Sequence, residues 1–293
     1  MGEQDNKYRK IYILLILVII LIVVNIFLIR LDLKNRARGF TFVALDVGQG
    51  DALFVESPTG TQILVDGGPP RKILSELTLA MSPFDRHIDA LIITNPDADH
   101  VGGFLEVLKN YKVDQVFEPG TTNDSRIYQN LKAELNKKNI PVTLLGKGMR
   151  LDLGGGAVID VLFPDRDVSF WDTNAGSAVV KLIYGNTSVL LTGDSTIETE
   201  KIILAEFPAS GLKSDILKVG HHGSRSSSSN DFIKAVSPTY AVISSGRDNP
   251  YGHPHQEVVD DLIFLGAKVF RTDLLGTITM KSDGEKEVFS FNK

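Results

Sequence analysis

The hydrophobic pattern opens with a run that has no period at all. From residue 11 to residue 29 no position is charged, and Asn25 is the one strongly polar residue. As a helix rising 1.5 Å per residue this run is about 28 Å long, enough to cross the hydrocarbon core of a bilayer. Its faces are equally apolar, which argues against a helix buried in a globular core. The residues that follow, Ile29-Arg30-Leu31-Asp32-Leu33, offer no small-residue cleavage site, so the run predicts an uncleaved signal anchor.

Beyond it the rhythm changes to short alternating or apolar runs between turns. Residues 40–47, 52–56 and 62–65 predict strands separated by Gly48-Gln49-Gly50 and Pro58-Thr59-Gly60. Residues 73–79 predict a helix and 90–93 a short buried strand, followed by a helix from about 102 to 111. A strand at 113–117, a long helix over 125–138 and strands at 141–145 and 157–163 come next, the last two placed around a turn at Gly154-Gly155-Gly156. Strands at 178–184 and 188–191 flank a tight Gly185-Asn186 turn. A buried strand ends at Val219, and Ser226 to Ser229 open a further helix. Strand-rich and helix-rich blocks therefore occur twice, without an internal repeat by identity.

Composition changes the picture in three ways. The 31 Lys/Arg and 36 Asp/Glu are unevenly spread: residues 1–38 hold seven basic and three acidic residues, leaving 24 against 33 and a formal charge of −9 for the rest. That is opposite to the basic footprint of a duplex-binding surface. The chain has no Cys, which suits an exported protein without disulfides. Lys7, Arg9 and Lys10 precede the apolar run, and Arg30, Lys34, Arg36 and Arg38 follow it, so positive charge does not set its orientation. The organisation expected is a tail at 1–10, a membrane span at 11–29, a basic juxtamembrane linker at 30–39 and one sizeable domain at 40–293.

The chemistry concentrates in Leu91-Ile92-Ile93-Thr94-Asn95-Pro96-Asp97-Ala98-Asp99-His100-Val101-Gly102-Gly103. Asn95-Pro96 ends the strand, which leaves Asp97, Asp99 and His100 on a tight loop at its carboxyl end, where open sheets place their chemistry. Two carboxylates and an imidazole within four residues suit a divalent cation. On its own the loop serves equally as an Asx-rich turn with a helix-capping Asp.

Thr94 to Gly103 resembles the metal-binding signature His-x-[His/Asp]-x-Asp-His of the metallo-β-lactamase superfamily, with Asn95 at the first His. It is most similar to the hydrolase domain of ComEC-type competence proteins. Asp46-Val47-Gly48-Gln49-Gly50-Asp51, Leu64-Val65-Asp66-Gly67-Gly68, Asn174-Ala175-Gly176-Ser177, Thr192-Gly193-Asp194-Ser195, Leu217-Lys218-Val219-Gly220-His221-His222-Gly223-Ser224 and Asn249-Pro250-Tyr251-Gly252-His253-Pro254 extend the resemblance over about residues 40–280. Arg271-Thr272-Asp273 and Gly276-Thr277-Ile278 match the family's terminal hairpin and are read as structural.

The resemblance implies an αββα sandwich, mixed α/β, in which Asp99, His100, Asp194 and His222 make one metal position. Asn95, Asp97, Asp194 and either Asn174 or Ser177 make the other. Asn174 and Ser177 stand where other members place a third His, and a plain Asn/Ser turn explains them as well. Asp194 bridges both positions, its alternative being a helix N-cap. Asp66 buttresses the ligand loops, and His221, His253 and Asp99 are the catalytic candidates. Asp46 and Asp51 are read as turn residues bonding their own backbone, and His255 as a helix-start residue.

The function expected is a membrane-anchored, metal-dependent hydrolase using Zn or Mn, one ion or two. Its substrate is expected to be a phosphodiester, DNA among the options, with the domain outside the cytoplasm. No protein partner follows from the sequence. Hydrolysis of another cell-surface phosphoester of phosphocholine type stays open, as does a binding protein whose catalysis has weakened.

Overall fold

The computed structural model describes residues 2–36 and 39–293, with side chains for 8–30 and 39–293. It divides into two compact units, 1–38 and 39–293. In the first, helix α1 runs Gly2–Arg36, so the expected tail and most of the expected linker continue the apolar helix. Residues 37 and 38 of that linker lie outside the described residues. Within Tyr8–Arg30 an 18-residue window reaches a mean hydropathy of 3.4, so the stretch is long and apolar enough to cross a membrane by length and composition.

The second unit begins with β1 (Phe40–Ala44), β2 (Leu53–Glu56), β3 (Gln62–Val65), α2 (Ile73–Ala80), β4 (His87–Ile92), α3 (Ala98–Val101), α4 (Phe104–Asn110), β5 (Lys112–Glu118), α5 (Arg126–Lys137) and β6 (Val142–Leu144). It continues with β7 (Arg150–Gly154), β8 (Ala157–Phe163), β9 (Val179–Tyr184), β10 (Thr187–Leu191), α6 (Ile197–Glu206), α7 (Ala209–Leu212), β11 (Ile216–Lys218), α8 (Asn230–Val236), β12 (Tyr240–Ile243), α9 (Gln256–Phe264), β13 (Lys268–Arg271), α10 (Thr272–Leu275), β14 (Thr277–Ser282) and β15 (Glu287–Asn292).

Eight strands form one sheet in the order β15-β14-β1-β2-β3-β4-β5-β6, and seven form the other, β13-β12-β11-β10-β9-β8-β7. Each sheet is antiparallel on one side and parallel on the other: β3 to β6 run parallel, as do β10 to β13. Strands buried on both faces read as continuous apolar runs. Leu91 and Ile92 illustrate this, since neighbours along a strand point to opposite faces. Ile92 joins Phe42, Val180, Leu191 and Val242 in the core between the sheets. Leu91 packs with Phe104 and Leu131 in the outer core of the first sheet, and Leu217, Phe232 and Leu262 share the outer core of the second. Those three cores are the signature of an αββα sandwich.

Two further sequence expectations change. The Gly154-Gly155-Gly156 turn joins β7 to β8, not the strands at 141–145 and 157–163, which belong to different sheets. The Arg-Leu-Asp-Leu alternation of β7 carries too few apolar residues to stand out. Thr272 to Leu275 is a helical turn; the terminal hairpin is β14 with β15, one strand later than the Arg271-Thr272-Asp273 match placed it. The helix at 125–138 is α5, whose Ser125 side chain accepts from the Tyr128 amide, and Ser229 caps α8 in the same way.

Candidate metal centre

The parallel halves of the two sheets set the site. Asp66 follows β3, residues 94–100 follow β4, Asp194 follows β10, His221 and His222 follow β11, and Ser244 follows β12. Gly50, at φ +132°, lies so close to the ligand loop that a Cβ there would stand 2.2 Å from the Asp99 carbonyl. Only glycine admits that approach. His221 and His222 both adopt left-handed backbone, φ 49° and 55°, followed by Gly223 at 81°. Two non-glycine residues in that region cost about 1–3 kcal/mol each, a strain found where geometry serves a site.

Four side chains converge. His100 Nε2 is 3.2 Å from Asp194 Oδ1, His222 Nε2 is 3.7 Å from the same oxygen, and His222 Nε2 is 3.3 Å from Asp99 Oδ2. His100 and His222 are buried, Asp194 nearly so, and Asp99 half-buried. His100 Nε2, His222 Nε2 and Asp194 Oδ1 have no hydrogen-bond partner among the described residues. Bare buried donor atoms are costly unless something binds them. Ligands roughly 2.0–2.1 Å from a tetrahedral cation stand about 3.3–3.4 Å from one another, close to the separations seen. The donor set fits a divalent metal.

The outer faces of both imidazoles are held. His100 Nδ1 lies 2.9 Å from Asp66 Oδ2, and Asp66 in turn accepts the Thr94 amide at 2.8 Å and the Thr94 hydroxyl. His222 Nδ1 lies 3.0 Å from the Ser244 carbonyl. A carbonyl only accepts, so Nδ1 carries the proton and Nε2 faces inward. Asp66 therefore occupies the buttressing place expected of it.

The other half of the expected site is different. Asn95 Oδ1 accepts the Asp97 amide at 2.8 Å, and its Nδ2 donates to Asn174 Oδ1 at 2.8 Å and Ser177 Oγ at 3.2 Å. Asp97 accepts from Asn123 Nδ2 at 2.6 Å and from Thr173 Oγ1 at 3.1 Å. Asn95, Asp97, Asn174 and Ser177 do meet, but as a closed hydrogen-bond net and not as bare donors. Asp97 sits at the N-cap position of α3 without a capping bond, and Thr196, not Asp194, precedes α6. The capping alternatives for both aspartates therefore fail.

His221 Nε2 lies 3.7 Å from Asp194 Oδ2, and its Nδ1 is 3.0 Å from Ser226 Oγ. The His253 ring stands edge-on to His221 at 5.5 Å, its Nδ1 buried and without a hydrogen-bond partner among the described residues. Asn249 holds that loop, donating to the Gly246 and His253 carbonyls and accepting the His253 amide. His255 starts α9 and accepts the Arg225 amide. A cavity of about 670 Å³ beside Tyr128, Lys132 and Arg166 contains none of these residues.

Asp51 overturns its reading as a turn residue. It is buried, with Oδ2 2.7 Å from the ammonium of fully buried Lys218 and Oδ1 3.4 Å from His222 Nδ1. Asp46 behaves as expected, accepting the Gly48 amide. Asp51 and Lys218 each fall in a motif that carries the resemblance, but nothing local pairs two residues 167 positions apart. A signal that could have found the pair is an apolar strand interrupted by a lysine.

The family model of the metallo-beta-lactamase superfamily matches residues 45–247. The chain belongs to that superfamily. Within it, the chain is 32% identical over 264 residues to ComE operon protein 3 of Bacillus subtilis (strain 168), covering 84% of this chain and 33% of the relative. It is 32% identical over 238 residues to Recombination protein 2 of Haemophilus influenzae, covering 80% and 28%. The chain thus spans about a third of the length of the curated relatives it matches. The metallo-beta-lactamase fold protein YhfI from Bacillus subtilis aligns at a TM-score of 0.51 and 14% identity, covering 79% of this chain and 95% of that one, a likeness of fold. The chain thus belongs to a superfamily that is typically composed of metal-dependent hydrolases, and it is related to competence proteins.

Charge in the metal-free site is balanced by protons. Burial alone would lower the His222 pKa, but the Asp194 and Asp51 carboxylates lift it to about 10. Burial opposes the charge of His100 too, and Asp194 and Asp66 outweigh it. His253 is pushed down to about 4 by burial and by the neighbouring imidazoles. A pKa raised on folding stabilises fully below the unfolded value, about 6.5, and that contribution is lost as pH rises through the folded value. The thermal midpoint of the metal-free protein should therefore fall between about pH 6.5 and 10, while the metal-loaded protein, whose imidazoles need no proton, should show a smaller decline. Melting curves with and without chelator check this, and a metal-free midpoint that rises across the same window contradicts it.

Proposed function

We propose that the chain is a phosphodiesterase in which Asp99, His100, Asp194 and His222 hold one divalent cation, Zn or Mn. The observation that carries this reading is the convergence of His100 Nε2, His222 Nε2 and Asp194 Oδ1, all buried and unpartnered among the described residues, beside Asp99. A divalent cation held there supplies Lewis acidity, acidifying water and offsetting phosphodiester charge. The chain's own residues do the rest. Asp66 and the Ser244 carbonyl fix the two ring tautomers, so both Nε2 lone pairs face inward. His221 stands at the open side, half-buried, where its Nε2 can stabilise charge on a phosphoryl oxygen or give a proton to the leaving oxygen. Ser226 orients that ring through Nδ1. His253, neutral at pH 7, lines the same wall and shields it from water.

The neutral amides and hydroxyls around Asn95 make a second cation position weak and oxygen-rich, which suits Mn over Zn. The name of the Haemophilus influenzae relative, a recombination protein, supports a DNA-type phosphodiester. The acidic balance of the domain favours a second reading, a small cell-surface phosphoester in place of a long polymer. The stretch Tyr8–Arg30 anchors the domain to a membrane, supported by its length and apolarity. Its extracytoplasmic placement rests on the likeness to competence hydrolases and the absence of Cys.

Turnover of bis-p-nitrophenyl phosphate, single-stranded DNA and duplex DNA tests the substrate class. Asp194→Asn should abolish hydrolysis while leaving the far-ultraviolet spectrum unchanged, because its carboxylate faces the site and not the core; a folded variant with wild-type turnover contradicts the mechanism. Asn95→His should raise metal stoichiometry toward two per chain and increase Zn-supported turnover. Equal stoichiometry and affinity in both proteins, followed by titration, would show that position 95 does not face a cation.

A further inference from the structure

Lys218 ends β11 with its side chain fully buried, an unfavourable place for an ammonium unless it is strongly paired. It donates to Asp51 Oδ2 at 2.7 Å and to the Val219 carbonyl at 3.0 Å. Asp51 belongs to the first sheet's side of the sandwich and Lys218 to the second, so the pair ties the two together behind the ligand cluster. The remaining Asp51 oxygen, Oδ1, is buried without a hydrogen-bond partner among the described residues. It lies 3.4 Å from His222 Nδ1, on the side of the ring away from the cluster. The amide of Asp51 also donates to the Asp99 carbonyl at 3.2 Å, so one residue braces two ligands at once.

The contrast with His100 is informative. Its ring is backed by Asp66, whose carboxylate accepts from the neutral Thr94 amide and hydroxyl and has no lysine beside it among the described residues. Behind His222 the equivalent carboxylate is neutralised by a lysine. Without that lysine, Asp51 would be a buried carboxylate with no cation paired to it behind the His222 ring.

We propose that Asp51 and Lys218 form a positioning dyad for the metal centre: Asp51 shares the His222 ring N–H with the Ser244 carbonyl, and Lys218 holds the Asp51 carboxylate in that orientation. The dyad rests on the metal reading above, and its test separates the two.

The 293-residue chain in detergent is stripped of metal and titrated with Co(II) against a chromophoric chelator, with the visible spectrum of the loaded protein and the melting point of the metal-free protein recorded. Asp51→Asn should weaken Co(II) binding about 10–100-fold, the usual effect of losing a group that orients a ligand. Lys218→Met should lower the metal-free melting point, because it leaves a buried carboxylate unpaired. The double variant Asp51→Asn/Lys218→Met removes both charges with little change of volume. It should recover the melting point yet still bind Co(II) at least about tenfold more weakly than wild type, with a shifted spectrum. A purely structural ion pair would instead recover both properties. Wild-type affinity and an unchanged spectrum in the double variant would overturn the dyad alone; a wild-type chain that takes up no Co(II) would overturn the metal centre and the dyad with it.

Discussion

Carboxylates brought together away from water repel one another and must be matched by positive charge. Asp51, Asp66, Asp99 and Asp194 meet at one end of this domain, and the built-in cation among them is Lys218. Two imidazoles supply the remaining balance by taking up protons, at pKa values far above the ordinary one. A divalent ion does the same work at neutral pH with fewer bound protons. The loops, the left-handed histidines and the glycine contacts all serve to keep these charges within ligand distance of each other.

That constraint explains the architecture around it. Each sheet brings its parallel strands to the same end of the sandwich, so ligands 122 residues apart in sequence, such as His100 and His222, face one space. Neither sheet holds the complete set: Asp99 and His100 come from the first, Asp194 and His222 from the second. The site therefore exists only in the packed sandwich, and the inter-sheet core of Phe42, Ile92, Val180 and Leu191 is a condition of the chemistry. The left-handed backbone at His221 and His222 directly follows β11, a strand of that sandwich.

Much of this was legible in the chain. Asp97, Asp99 and His100 on a turn after an apolar strand, and adjacent histidines after another, marked the two halves of the site by local spacing. The strands buried on both faces announced themselves as apolar runs. What stayed hidden depended on distant partners. Asp51 reads as a turn residue until Lys218 and His222 are placed beside it, and Asp97 reads as a helix cap until Asn123 and Thr173 take its oxygens. The resemblance put Asn95, Asp97, Asn174 and Ser177 at one metal position, and the structure brings them together through hydrogen bonds. The resemblance could not show that an amide in place of an imidazole donates as well as accepts, and so closes the group into a net. β7 escaped notice because an exposed edge strand needs little apolar patterning.

The central claim is that one cation rests on Asp99, His100, Asp194 and His222. Elemental analysis of the 293-residue chain purified in detergent, beside a His222→Ala variant, tests it most directly. The account predicts close to one equivalent of Zn or Mn in the wild type and a large loss in the variant. A wild type that neither retains nor takes up a divalent metal, or a variant that retains as much as the wild type, would contradict it.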